Sequence, residues 1–143
     1  MINSKNKRAV NIRIDQSLID YLTDSTNKSI NPAMVEALTM YKSLMTEAEK
    51  ELRGRFTQRE WAAMADCYNG SIIETNMLNK QTLTAGFEDS QSYDATFTRH
   101  EVNYPMFMRK IEKLTHAQSV ALYNRIRKFW DADNANLSAW SQF

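Results

Sequence analysis

One cysteine, three glycines, two prolines and two histidines stand among the 143 residues of this chain, and each scarcity closes off a class of protein. A single thiol, Cys67, forms no internal disulfide, and two histidines make no cluster at metal-ligand spacing, so neither a disulfide scaffold nor structural zinc is expected. So few Gly and Pro, beside abundant Met, Ala, Leu, Glu and Lys, favour helices on short connections over a many-stranded sheet. No run approaches the roughly 18 apolar residues of a spanning helix. Met1 to Lys7 is polar, without the apolar run of a signal peptide, so the expectation is a cytoplasmic protein with no membrane partner. No Gly-rich phosphate loop and no Ser/His/Asp arrangement occurs, so the chain is read as a non-enzyme without a cofactor. What is present is enough apolar sequence for one real core or two small ones.

Charge nearly cancels, with 18 Lys plus Arg against 17 Asp plus Glu, yet it is unevenly placed. Lys5, Lys7, Arg8 and Arg13 all precede Asp15, the first acid, whereas residues 56 to 143 are close to neutral. The basic end is the candidate contact surface for double-stranded DNA; the plainer reading is a solvated tail.

Along the chain, Val10, Ile12 and Ile14 alternate with Ala9, Asn11 and Arg13 in a period of two, which predicts one short half-buried strand. A lone strand leaves its own donors and acceptors unpaired, so it is expected to pair with a second copy. Asp15 caps a first helix of about ten residues carrying Leu18, Ile19, Tyr21 and Leu22 on one face. Asn31-Pro32 predicts the start of a second helix, with Asn31 as its cap. The apolar positions Met34, Leu38, Tyr41, Met45, Ala48 and Leu52 carry it to about Arg53, before Gly54. Thr57 and Glu60 form a capping box with Phe56 and Trp61 as its staple, predicting a third helix over about 58 to 68. A short helix is read around Ile72 to Leu78, and Lys80 to Thr98 reads as a long loop. Pro105 opens a helix through Leu114, and Thr115 with Gln118 opens another to about Asp131. The apolar tail residues Leu137, Trp140 and Phe143 are expected to dock. Trp61, Tyr68, Phe129 and Trp130 read as core, Glu47, Glu49 and Glu51 as a solvated face, and Cys67 as a buried structural thiol.

A basic alternating strand, a short helix, a polar turn and a helix opened by Asn-Pro is the element order of the ribbon-helix-helix DNA-binding family, and about residues 5 to 48 resemble it. Asn11-Ile12-Arg13-Ile14 is similar to the alternation of the Arc and MetJ repressors, and Ser29-Ile30-Asn31 lies where that family opens its second helix. The resemblance implies a mainly α protein with an N-terminal ribbon-helix-helix that dimerises through a two-stranded intermolecular β-ribbon, followed by a helical C-terminal region. The expected domains are residues 1–54 and 55–143. Val10, Ile12, Ile14, Leu38 and Tyr41 would form the dimer core. Ala9, Asn11 and Arg13 would then project outward to the bases of the major groove: Arg to guanine, Asn to adenine, Ala to a thymine methyl. Lys5, Lys7, Arg8 and the start of the second helix at Ser29, Ile30 and Asn31 would hold phosphates.

The expected function is transcriptional repression by a homodimer or larger assembly. A reading from another class makes the chain an antitoxin, or a phage- or plasmid-encoded inhibitor. Its C-terminal helices would bind a partner protein, with DNA binding for autoregulation or the ribbon used only to dimerise. A third places the strand in an intramolecular sheet with Ser71 to Glu74 or Asp94 to Thr98, giving a monomeric α+β domain.

Overall fold

In this computed structural model the backbone is described for residues 7–69 and 79–130, and the side chains for 7–67 and 79–126. Among these residues every regular element is a helix: α1 (Gln16–Thr26), α2 (Ile30–Leu52), α3 (Gln58–Asn69), α4 (Lys80–Asp94), α5 (Thr96–Arg99), α6 (Tyr104–Glu112) and α7 (His116–Trp130). The chain divides into two compact units, Met1–Tyr41 and Lys42–Phe143, with the division inside α2.

The N-terminal β-ribbon is corrected. Residues 7–15 form no strand and no helix, and Val10 and Ile12 stand 69% and 59% exposed. Alternation marks a strand only where another strand takes up its backbone donors and acceptors, and no described segment of this chain supplies one. The intramolecular sheet with Asp94 to Thr98 is likewise absent. Thr96–Arg99 is helical, and Ser71 to Glu74 lies outside the described residues.

In the first unit, α1 opens at Asp15 through that residue's carbonyl, which accepts from the amides of Leu18 at 3.0 Å and Ile19 at 3.2 Å. The Asp15 side chain makes no capping bond, contrary to expectation. Left-handed Asn27, at φ 52°, ends α1, a conformation that Asn tolerates better than most residues. α2 then begins at Ile30, its first bond running from the Ala33 amide to the Ser29 carbonyl at 3.1 Å. Asn31 therefore sits inside the first turn and is not the cap.

The second unit follows the predicted punctuation closely. Gly54, at φ +71°, takes the left-handed turn after α2 that an L side chain would strain. The capping box of α3 is complete: the Thr57 amide donates to Glu60 Oε2 at 2.9 Å and the Glu60 amide to Thr57 Oγ1 at 3.2 Å. Its staple is an edge-on ring pair, Phe56 and Trp61, with centroids 5.6 Å apart. The same reciprocal pair opens α7, where the Thr115 amide donates to Gln118 Oε1 at 3.0 Å and the Gln118 amide to Thr115 Oγ1 at 3.1 Å. Asn103 caps α6 by accepting from the Met106 amide at 3.1 Å.

The loop expected over Lys80 to Thr98 is instead α4 and α5. Asn79 caps α4, accepting from the Thr82 amide at 2.8 Å. The helix buries Leu83, Gly86, Phe87 and Ser90, a stripe at helical spacing in which two of the four residues are small and one is polar. Phe56, Phe87, Phe97 and Phe107 form the centre of the core, with Trp61, Met64, Leu52, Ile111, Leu122 and Ile126 packed around them. Trp61 is thus core, as expected. The side chains of Tyr68, Phe129 and Trp130, the segment Ile72 to Leu78, and the tail with Leu137, Trp140 and Phe143 lie outside the described residues.

Candidate nucleic-acid interface

Residues 7–13 carry three cations and no acid. Lys7, Arg8, Ala9, Asn11 and Arg13 are all exposed, and among the described residues neither Lys7, Arg8 nor Arg13 makes an ion pair or a side-chain hydrogen bond. Elsewhere some cations are neutralised, Lys28 by Glu36, Arg59 by Glu101 at 2.6 Å and Lys110 by Glu60 at 2.8 Å, while Lys42, Lys50, Arg53, Arg109 and Lys113 are exposed without an ion pair but scattered along the chain among acids. An exposed run of unpaired positive charge keeps its full attraction for a polyanion, because no local carboxylate competes. Lys5 lies outside the described residues.

The second predicted station is the first turn of α2. Ser29 and Asn31 are exposed and Ile30 is half-buried, on amides that carry the positive end of the helix dipole. No hydrogen bond or ion pair joins residues 7–13 to residues 29–31, so these are two separate stations. Of the residues expected in a dimer core, Val10, Ile12, Leu38 and Tyr41 are 69%, 59%, 62% and 48% exposed, and Ile14 is half-buried.

Two of the groups that could carry other chemistry, Cys67 and His100, are engaged in the fold. The Cys67 thiol is fully buried, and burial pushes it up from 9.0 to about 12, with a smaller opposing pull from its hydrogen bond to Ser90. Burial thus favours the protonated thiol at neutral pH. His100 pairs with Asp66, holding the turn after α5 to α3. Among the described residues no group of three or more His, Cys, Asp and Glu is placed to hold a metal ion.

Sequence reading missed the cleft of about 510 Å³ between the first turns of α3 and α6, lined by Arg59, Glu60, Glu101, Asn103, Met106 and Lys110 among others. Its charges satisfy one another. Glu60, 7% exposed, holds Lys110 Nζ through both carboxylate oxygens at 2.8 and 2.9 Å. The Glu60 position was visible through its capping box, but Lys110 is 50 residues away and carries no local signal.

No protein-family model matches this chain, and neither the curated proteins nor the solved structures contain a match to it. No helix among the described residues is long and apolar enough to cross a membrane.

Proposed function

We propose that the chain is a DNA-binding transcription regulator, acting as a repressor, whose basic N-terminal arm lies along the duplex. The observation that carries this reading is the exposed, unpaired set Lys7, Arg8 and Arg13 within seven residues free of acid. Lys5, Lys7 and Arg8 contact phosphates and supply affinity without choosing a sequence. Arg13, with two donors for guanine O6 and N7, and Asn11, with a donor and an acceptor for adenine, read base edges, and Ala9 sits against a thymine methyl. The first turn of α2 at Ser29, Ile30 and Asn31 offers amides to a further phosphate. Occupying a promoter is sufficient for repression and needs no catalytic step.

A partner protein held by the C-terminal helices has less behind it. Beyond residue 54 the exposed large apolar side chains among the described residues are Tyr93 and Met106, on two different helices.

The test is selection of bound duplexes from a random pool, followed by titration of the selected sequence with variants. Arg13→Ala loses about 1 to 3 kcal/mol of specific binding and relaxes one base position, whereas Lys7→Ala weakens all sequences alike and lowers the salt slope by about one. Equal effects of the two variants on selected and random duplexes would refute the assigned roles.

A further inference from the structure

We infer, resting on the DNA-binding reading, that the N-terminal arm is a cleavage site: an endoprotease that cuts after Lys or Arg severs it from the folded chain and so switches DNA binding off. A peptide bond held in a helix or a hydrogen-bonded turn must open locally before a protease can take it. The arm needs no such opening. Residues 7–14 form no strand and no helix, and among the described residues none of them makes a hydrogen bond. Lys7, Arg8 and Arg13 are exposed along this stretch. The apolar residues between them do not anchor it, since Val10 and Ile12 stand 69% and 59% exposed.

The described turns that also carry Lys or Arg are held. Lys28 pairs with Glu36. The amides of Arg53 and Arg55 donate to the carbonyls of Lys50 at 3.3 Å and Leu52 at 3.1 Å, and the Lys113 amide donates to the Arg109 carbonyl at 3.3 Å. Residues 70–79 and 129–143 contain no Lys or Arg at all. Nicking concentrates where the backbone is exposed and untied, which singles out the arm.

A cut there costs the fold little and the DNA contact much. None of residues 7–15 is buried, and every cut falls ahead of Asp15, whose carbonyl opens α1. A cut after Arg8 removes Lys5, Lys7 and Arg8, the cations assigned to phosphates, and a cut after Arg13 removes the base readers as well. Duplex and protease compete for the same side chains. The bound chain is therefore shielded while the free chain is inactivated.

Limited trypsin digestion of the full chain, with and without a random duplex at low salt, tests this by intact mass. Beyond residue 6, the first products should begin at Arg8, Ala9 or Ile14 and form at least about tenfold faster than any other. The products beginning at Ala9 and Ile14 should keep the thermal transition of the intact chain and bind duplex at least about tenfold more weakly. Duplex should slow these cuts without slowing digestion of an unrelated substrate in the same tube. In a chain that binds DNA, first cuts at Lys28, Arg53, Arg55 or Lys113, a lost thermal transition, undiminished duplex binding by the products or cuts unaffected by duplex would overturn the inference alone. An intact chain that binds no duplex would overturn the DNA reading, and the switch with it.

Discussion

Replacing Phe107 by alanine tests the physical account of the second unit at its most connected point. The ring is fully buried and packs against Phe97, Phe87 and Phe56 with centroids 4.6, 5.3 and 6.0 Å away. Removing a buried Phe to Ala costs about 3 to 5 kcal/mol, the transfer of the ring plus the cavity left behind. Three ring neighbours on different elements, in the turn before α3 and on α4 and α5, cannot all move in to fill one hole, which places Phe107→Ala near the upper end. With about 4 to 8 °C lost per kcal/mol in a domain of this size, the midpoint should fall by at least about 12 °C. The assay is urea unfolding followed by Trp fluorescence, with a thermal melt alongside. Phe107→Leu should lose clearly less, and Tyr93→Ala, at an 86% exposed position, should stay within about 0.5 kcal/mol of wild type. A loss below about 1 kcal/mol for Phe107→Ala would refute the four-ring core.

Two further predictions concern polar groups inside the second unit. The Tyr104 hydroxyl is buried with no hydrogen-bond partner among the described residues, and burial, followed by the neighbouring Glu88, raises its pKa. Tyr104→Phe should therefore be neutral or stabilising by up to about 1 kcal/mol in chemical denaturation, and a loss larger than that would show that the hydroxyl is satisfied. Cys67, raised from 9.0 to about 12, should resist iodoacetamide in the folded chain and react in denaturant. Because its folded pKa lies above the unfolded one, the stability tied to the neutral thiol is fully present below pH 9.0 and is lost as pH climbs toward 12. Cys67→Ser should flatten that alkaline decline, and an unchanged profile would count against the assignment.

What the sequence made legible was local. The capping boxes Thr57/Glu60 and Thr115/Gln118 are read within four residues, and each holds by the predicted bonds. α4 was illegible because Gly86 and Ser90 occupy half of its buried stripe, so close packing there leaves no hydrophobic period to detect. The alternation of Val10, Ile12 and Ile14 misled for the opposite reason: a clear period was present, but a period names no partner for the backbone. Polar pairs such as Glu60 with Lys110 and Asp66 with His100 join positions far apart in sequence, and only the fold brings them together. Lys7, Arg8 and Arg13 were visible as a charge bias; that they remain unpaired was not.

The central claim is that the N-terminal arm binds DNA through its unpaired cations, and the salt dependence of duplex binding tests it most directly. Neutralising three phosphates gives a slope of about −2.7 in log association constant against log salt, so a fourfold rise in salt should weaken binding of a random duplex about 40-fold. The triple variant Lys5→Ala, Lys7→Ala, Arg8→Ala, which removes the three phosphate-contacting cations, should bind more weakly and lose most of that slope. No measurable duplex binding by the wild-type chain at low salt, or an identical slope in the triple variant, would contradict the account.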